Sequence, residues 1–442
     1  MQKKLWNHFE WPSARLRSAA WGTLAVALAV NAYGQSVIVA PPPIPAEPKS
    51  SEATSGTTTG DTNQVDSTGG ATSVSAASGL MNRNPFQWGP IILHPRIGYS
   101  LNYGTGLQSQ PGQASKSLIN TFSVGMGLNL GRHWDLGYSA GAMFYSDPKF
   151  KNNVDHNITV HGHTSYEDWA FNLSQSIGIT SDPLIETARQ TDQQSYGTSL
   201  GATYQINGEL SAALTAGQQI SSSSAPGLTN SIGSSTDWTL NGSLNYQIAP
   251  GLSAGLGAGF GYNKVDIGPD NTYEDVNLDI SWSVARKLSL SVNGGAQIRQ
   301  FIGSGQSSLI SPTFGVSLNY HPFRYTTVSL SASRSIGASY FQFLVTENTS
   351  VSIGISQRLF KKYSLSLNGS YGTSAYQNTT LFTQLGLSTR ADTHTAFGVT
   401  LSRSFLKRGT AAITYSRSQN SSSSQGFGYN SDQAGMSLSY SY

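Results

Sequence analysis

Two carboxylates and one guanidinium are spaced so that a β-hairpin would gather them. From Tyr273 the chain alternates Val276, Leu278, Ile280 and Trp282 with Asp275, Asn277 and Asp279. After Ala285-Arg286-Lys287 it alternates again, with Ser289, Ser291, Asn293, Gln297 and Arg299 on the polar parity. Folding about Arg286 predicts Asp279 opposite Asn293 and Asp275 diagonal to Arg299 on one wall. In a neutral surround such a charged patch orders ions or sugar hydroxyls, or serves only as an internal pair that satisfies the wall.

His161 and His163 share one face two residues apart, with Glu167 and Asp168 following in a turn. Two imidazoles at that spacing suit a metal, but no second ligand set of suitable spacing stands out. They are therefore expected as hydrogen-bonding residues of the same polar face, and no metal or cofactor is expected. No Gly-x-Ser-x-Gly elbow, His-Glu-x-x-His pair or phosphate loop is present, so no enzymatic activity is expected.

The elements that must carry these residues are long alternating arms. In the stretch 237–263, Trp238, Leu240, Leu244, Tyr246 and Ile248 take one parity and Thr239, Asn241, Ser243, Asn245 and Gln247 the other. A turn at Pro250-Gly251 leads to a second arm in which Leu252, Ala254, Leu256, Ala258, Phe260 and Tyr262 oppose Ser253 and four glycines. Each arm runs about a dozen residues, whereas a strand of a soluble sheet has about five or six. A membrane-crossing strand needs about 9–11. The apolar parity bears no charge, and the polar parity offers amides, hydroxyls and bare backbone, which suit water.

Composition leads the same way. Charged residues are 11% of the 442, against about 25% in an average soluble protein. Serine, glycine, asparagine and glutamine supply the polarity, as in a barrel with lipid outside and water inside. The net charge of +3 is concentrated in residues 1–34, which hold four of the 26 basic and one of the 23 acidic side chains; the remainder is formally neutral. Nothing in that balance suggests a nucleic-acid partner. There is no cysteine, hence no disulfide, thiolate metal site or cysteine-linked lipid.

Residues 1–34 read as a secretory signal: Lys3, Lys4, Arg15 and Arg17, then an apolar run from Ala19 to Val30. Small residues at Ala32 and Gly34 place the cleavage site between Gly34 and Gln35. Residues 35–83 are rich in Pro, Ser, Thr and Gly and are expected to be a disordered periplasmic leader. Residues 84–442 are expected to form an all-β, antiparallel, up-and-down transmembrane barrel in the outer membrane.

Short turns are predicted near 131–133, 165–168, 207–208, 249–251, 285–287, 321–324, 360–362 and 406–409, with longer loops between them, near 104–116, 147–153, 181–192, 221–235, 265–272, 302–309, 337–346, 377–392 and 419–429. That layout gives about 18 strands; a miscounted hairpin would make it sixteen or twenty. Even numbers, short periplasmic turns and longer outer loops are the rule for such barrels. Aromatics fall at the strand ends, Trp134, Trp169, Trp282 and Tyr363 on the turn side and Phe122, Trp238, Tyr371 and Tyr415 on the loop side. That is where an interfacial girdle belongs. The last residues place Leu438, Tyr440 and Tyr442 on one parity, similar to the C-terminal signal by which the barrel-assembly machinery recognises its clients. The usual last residue is Phe, and here it is Tyr.

The leader, NPFQWGP (Asn84 to Pro90), HPRIGYSLNYG (His94 to Gly104) and the terminal aromatic together resemble the β-barrel porins of the second type. The resemblance covers about residues 84–442 and implies a channel surrounded by outer-membrane lipid. Barrels of 16 to 18 strands enclose water, so the expected function is passage of small polar or neutral solutes, saccharides among them. Some relatives are associated with export of extracellular polysaccharide, so an export porin working with periplasmic proteins is the first alternative. A structural or adhesive barrel with a closed lumen is the second.

Overall fold

The computed structural model describes residues 86–442 apart from 226–232, 267, 286, 340–343, 361 and 379–389. The signal with its Gly34–Gln35 site and the leader 35–83 lie outside the described residues. A two-residue strand, β1 (Gln87–Trp88), folds back on the start of β2 (Ile91–Gln110). It is followed by β3 (Gln113–Leu130), β4 (Trp134–Tyr145), β5 (Asn153–Tyr166), β6 (Trp169–Leu184), β7 (Arg189–Gln205), β8 (Leu210–Ser224), β9 (Ser235–Ala249) and β10 (Leu252–Val265). The second half is β11 (Asn271–Ala285), β12 (Leu288–Phe301), β13 (Leu309–Tyr320), β14 (Thr326–Ala338), β15 (Leu344–Leu359), β16 (Tyr363–Asn378), β17 (Arg390–Phe405), β18 (Gly409–Ser422) and β19 (Tyr429–Ser441).

Each long strand pairs antiparallel with its neighbour in sequence, and β19 closes on β2 from Asp432↔Thr105 to Ser441↔Arg96. The result is a closed ring of 18 strands. Closure removes the open edges that a bilayer would leave unpaired. Parity is preserved around the ring because cross-strand partners share a face. Ile97 pairs with Val124, Val124 with Ala140, and Ala140 with His156, all outward. The outward residues elsewhere are those of the apolar parity, for example Leu244, Leu256, Leu278, Val316, Leu330, Ile353, Val399, Ile413 and Met436. Leu244 is 52% exposed and Ile413 66%, values that only a lipid-facing site explains in an otherwise ordered ladder.

The 18 strands of the ring are 12 to 20 residues long, longer than the 9–11 or so a bilayer requires. The excess stands on the loop side. Residues 104–116 and 181–192, expected as loops, are mostly paired ribbon: Gln110 still faces Gln113, and Leu184 still faces Arg189. Once a hairpin is templated within the membrane, its ladder continues into water without needing an apolar face. Polar Gln, Ser and Thr at those positions therefore gave no periodic mark of a strand.

Both ends of the described chain meet on the turn side. The Phe86 carbonyl accepts from Leu93 N–H at 3.0 Å, and Gly89 makes the reversal at φ +59°. Pro90 carbonyl accepts from Gly131 N–H across the first turn at 2.8 Å. The Phe86 ring stands edge-on to Tyr442 with centroids 4.9 Å apart, and Arg408 lies 3.8 Å over the same Tyr442 ring. Tyr442 N–H donates to Pro95 carbonyl at 2.9 Å. Residues 86–90 thus fold against the terminal aromatic at the seam.

Candidate channel interior and its constriction

The inward parity is built from short polar side chains. On β14 and β15 they form a hydroxyl ladder, Ser331 with Ser352 at 2.7 Å and Ser333 with Ser350 at 3.1 Å. Ser364, Ser366 and Ser370 on β16, Ser402 on β17 and Ser431 on β19 take the same parity and are buried. A ring closed on itself, apolar outside and hydroxylated within, has one solvent arrangement that satisfies both faces. The protein is an outer-membrane β-barrel.

Comparison with known proteins adds little beyond that. No protein-family model matches the sequence, and no curated protein does. Among solved structures the chain is similar to OccAB4 of Acinetobacter baumannii, at 14% identity and a TM-score of 0.42 over 82% of this chain and 100% of that one. It is also similar to the Pseudomonas aeruginosa proteins OpdQ, at 11% identity and TM-score 0.41 over 79% and 98%, and the outer membrane protein OpdK, at 12% and 0.44 over 79% and 98%. Likeness at this level says nothing about what passes through.

On β11 and β12 of this outer-membrane barrel, Asp279 faces Asn293, Asp275 faces Gln297, and Tyr273 faces Arg299, one step further along. Asp275 and Arg299 are 4% and 3% exposed. Arg299 donates from Nη1 to Asn271 Oδ1 at 2.8 Å and from Nη2 to Gln297 Oε1 at 3.2 Å, and its guanidinium lies 4.7 Å over the Tyr273 ring. Tyr273 in turn donates its hydroxyl to Asp237 Oδ2 on β9 at 2.7 Å.

The polar parity of β10 explains how these large groups fit. A Cβ on Gly261 would collide with the Tyr273 ring, and one on Gly259 with the side chains of Asn241 and Asp275. The glycine row is a bare strip of backbone on which side chains from both flanking strands lie down.

His161 and His163 stand near the turn-side mouth. His161 pairs with Asp135 on β4, and the His163 backbone N–H donates to His133 carbonyl at 2.9 Å. The His133 and His163 rings are 5.6 Å apart, edge to face. Among the described residues no group of three or more His, Cys, Asp or Glu side chains is placed to hold a metal ion.

Another feature that shapes the lumen lies elsewhere. The connection between β6 and β7 does not stand up from the rim; it crosses the barrel. Arg390 on β17 donates from Nη1 to the Glu186 carbonyl at 2.8 Å and from Nη2 to the Ile185 carbonyl at 3.5 Å. Strands β8 to β16 separate the two in one direction and β18, β19 and β2 to β5 in the other, so the contact joins nearly opposite walls. Ser339, after β14, donates its hydroxyl to the Glu186 carboxylate.

Arg390 is itself fixed. It forms a bidentate pair with Asp392, and its guanidinium lies 3.9 Å from the Phe427 ring and 4.7 Å from the Tyr376 ring. The loop is folded on its own hydroxyls, Thr187 with Thr191 at 2.8 Å, and Ala188 takes φ +53° with no exposed surface. The β2–β3 tip braces the Phe427 loop through Gln108 Nε2 to Gly428 carbonyl at 3.0 Å and Gly112 N–H to Gly426 carbonyl at 2.7 Å.

None of Glu186, Arg390, Asp392, Tyr376 or Phe427 stood out in the sequence. Arg390 and Glu186 are 204 residues apart, and no local period marks a loop that folds inward. The one signal available is apolar: Leu184 and Ile185 sit in what should be a wet loop, and Leu184 is buried.

Proposed function

We propose that this barrel is a diffusion channel for neutral, hydroxyl-rich solutes, saccharides among them, narrowed where the β6–β7 connection meets β17. The observation that carries this reading is the inward face, a wall of serine, threonine, asparagine and glutamine in a chain of which only 11% is charged. Ser329 and Ser331 of β14 remain exposed on that face, which leaves hydroxyls within reach of a sugar. Asp275, Asp279, Asn293, Gln297 and Arg299 line the pore in this reading, and His161 and His163 line its turn-side mouth. Leu438, Tyr440 and Tyr442 are the signal read by the barrel-assembly machinery, and residues 1–34 are removed on export.

A wall with few charges discriminates ions weakly. Purified protein in planar bilayers is therefore expected to conduct with little preference between cation and anion, and proteoliposomes to swell in mono- and disaccharides. Absence of conductance, or strong single-sign selectivity, overturns the proposal. Deletion of the gene separates uptake from export: an export porin working with periplasmic proteins requires secreted polysaccharide to fall.

A further inference from the structure

The turn-side rim is divided by charge. From β3 to β8 it carries Asp135, Glu167, Asp168 and Glu209 against Arg132, and the β9–β10 turn is uncharged. The turns from β11 to β18 and the strand ends beside them carry Lys287, Arg324, Lys362, Arg403, Lys407 and Arg408, with no acidic side chain among them. One arc of the ring is thus acidic on balance and the other wholly basic among the described residues.

Three of the cations are held on the aromatic girdle. Arg324 lies 5.4 Å from the Tyr325 ring, Arg403 5.3 Å from Tyr363 and Arg408 3.8 Å from Tyr442. Arg403 pairs with Tyr363 on the outward parity of β17, below Leu401 and Val399, so it faces lipid and not the lumen. Girdle aromatics mark headgroup depth. These guanidinium groups therefore stand at the level of lipid phosphates, and Arg408 Nη1 is buried there with no hydrogen-bond partner among the described residues.

We infer that the β11–β18 arc is a docking surface for anionic phospholipid of the periplasmic leaflet, phosphate on the cations and glycerol and first methylenes against the girdle rings. The acidic arc repels the same headgroup, so the bound shell is one-sided. Depth selects lipid over a soluble acidic protein, which would meet cations projecting clear of the membrane. The surface does not depend on whether the lumen conducts.

The test uses mature protein in nanodiscs of phosphatidylethanolamine with a minor fraction of phosphatidylglycerol, and native mass spectrometry of the lipids that stay bound. Wild-type protein is expected to retain phosphatidylglycerol several-fold above its bulk ratio. Combined Lys287→Gln, Arg324→Gln, Lys362→Gln and Lys407→Gln is expected to return it to the bulk ratio. Combined Glu167→Gln, Asp168→Asn and Glu209→Gln is expected to leave it enriched. Heat-modifiable gel mobility reports folding, and single Arg324→Gln and Arg403→Gln variants, each with partial loss, stand in if the combined variant does not fold. Bulk-ratio retention by folded wild-type protein, or equal loss in the basic and acidic variants, overturns the inference. So does an acidic periplasmic protein that binds the rim in discs showing no lipid preference.

Discussion

Arg390 is the residue on which the shape of the lumen turns. Its charge is buried against Asp392 and two rings, and the β6–β7 connection hangs from its remaining donors. Breaking a buried ion pair by removing one partner costs about 3–5 kcal/mol, so Arg390→Gln is expected to release the connection. Planar-bilayer recording should then show a larger and noisier conductance, and unchanged single-channel traces would argue against the tether. The bare strip on β10 offers a second residue-scale test. Gly259→Leu has nowhere to place its side chain, because Asn241 and Asp275 already lie over that backbone. Overpacking of this kind costs about 1–3 kcal/mol, to be read as a lower urea midpoint for unfolding from vesicles, whereas Gly242, with open space around it, should accept alanine without loss. At this scale the sequence was informative where neighbours are close along the chain. The alternation about Arg286 suffices to place Asp279 across from Asn293, since a hairpin register follows from its turn. It could not suggest Arg390 with Glu186, because nothing between them carries a period.

At the scale of elements, the two parities of one strand should respond oppositely to charge. Leu244 and Asn245 are adjacent on β9, one outward and one inward. An arginine near mid-membrane on the lipid face costs about 2–4 kcal/mol, and one facing the lumen far less. Leu244→Arg should therefore lower unfolding stability in vesicles and Asn245→Arg should not; equal effects would mean that the assigned faces are wrong. The seam makes a further prediction. Phe86→Ala removes only a ring edge from Tyr442, a contact of about 0.5–1.5 kcal/mol, and should slow the appearance of the folded gel band modestly. Tyr442→Ala removes the partner of both Phe86 and Arg408 and should slow it more. The strands were legible because lipid imposes a strict apolar parity over each membrane crossing. Their loop-side extensions were not, because in water a paired ribbon places no such demand on its side chains.

For the molecule as a whole, closure was foreseeable from the even layout of turns and loops, since a membrane tolerates no open strand edge. What the lumen holds was not, because a loop's choice between standing in solvent and folding inward depends on anchors supplied by the opposite wall. That inward connection has a mechanical meaning as well. A hollow cylinder under lateral pressure flattens along its softest diameter, and a member fixed at both ends across that diameter acts as a strut. The β6–β7 connection, pinned at Arg390 and touched by Ser339, spans the ring in this way, so the same bond that narrows the passage also resists ovalisation of the cylinder. Spin labels on opposite walls should report one narrow distance in the native protein and a broadened one once the strut is cut.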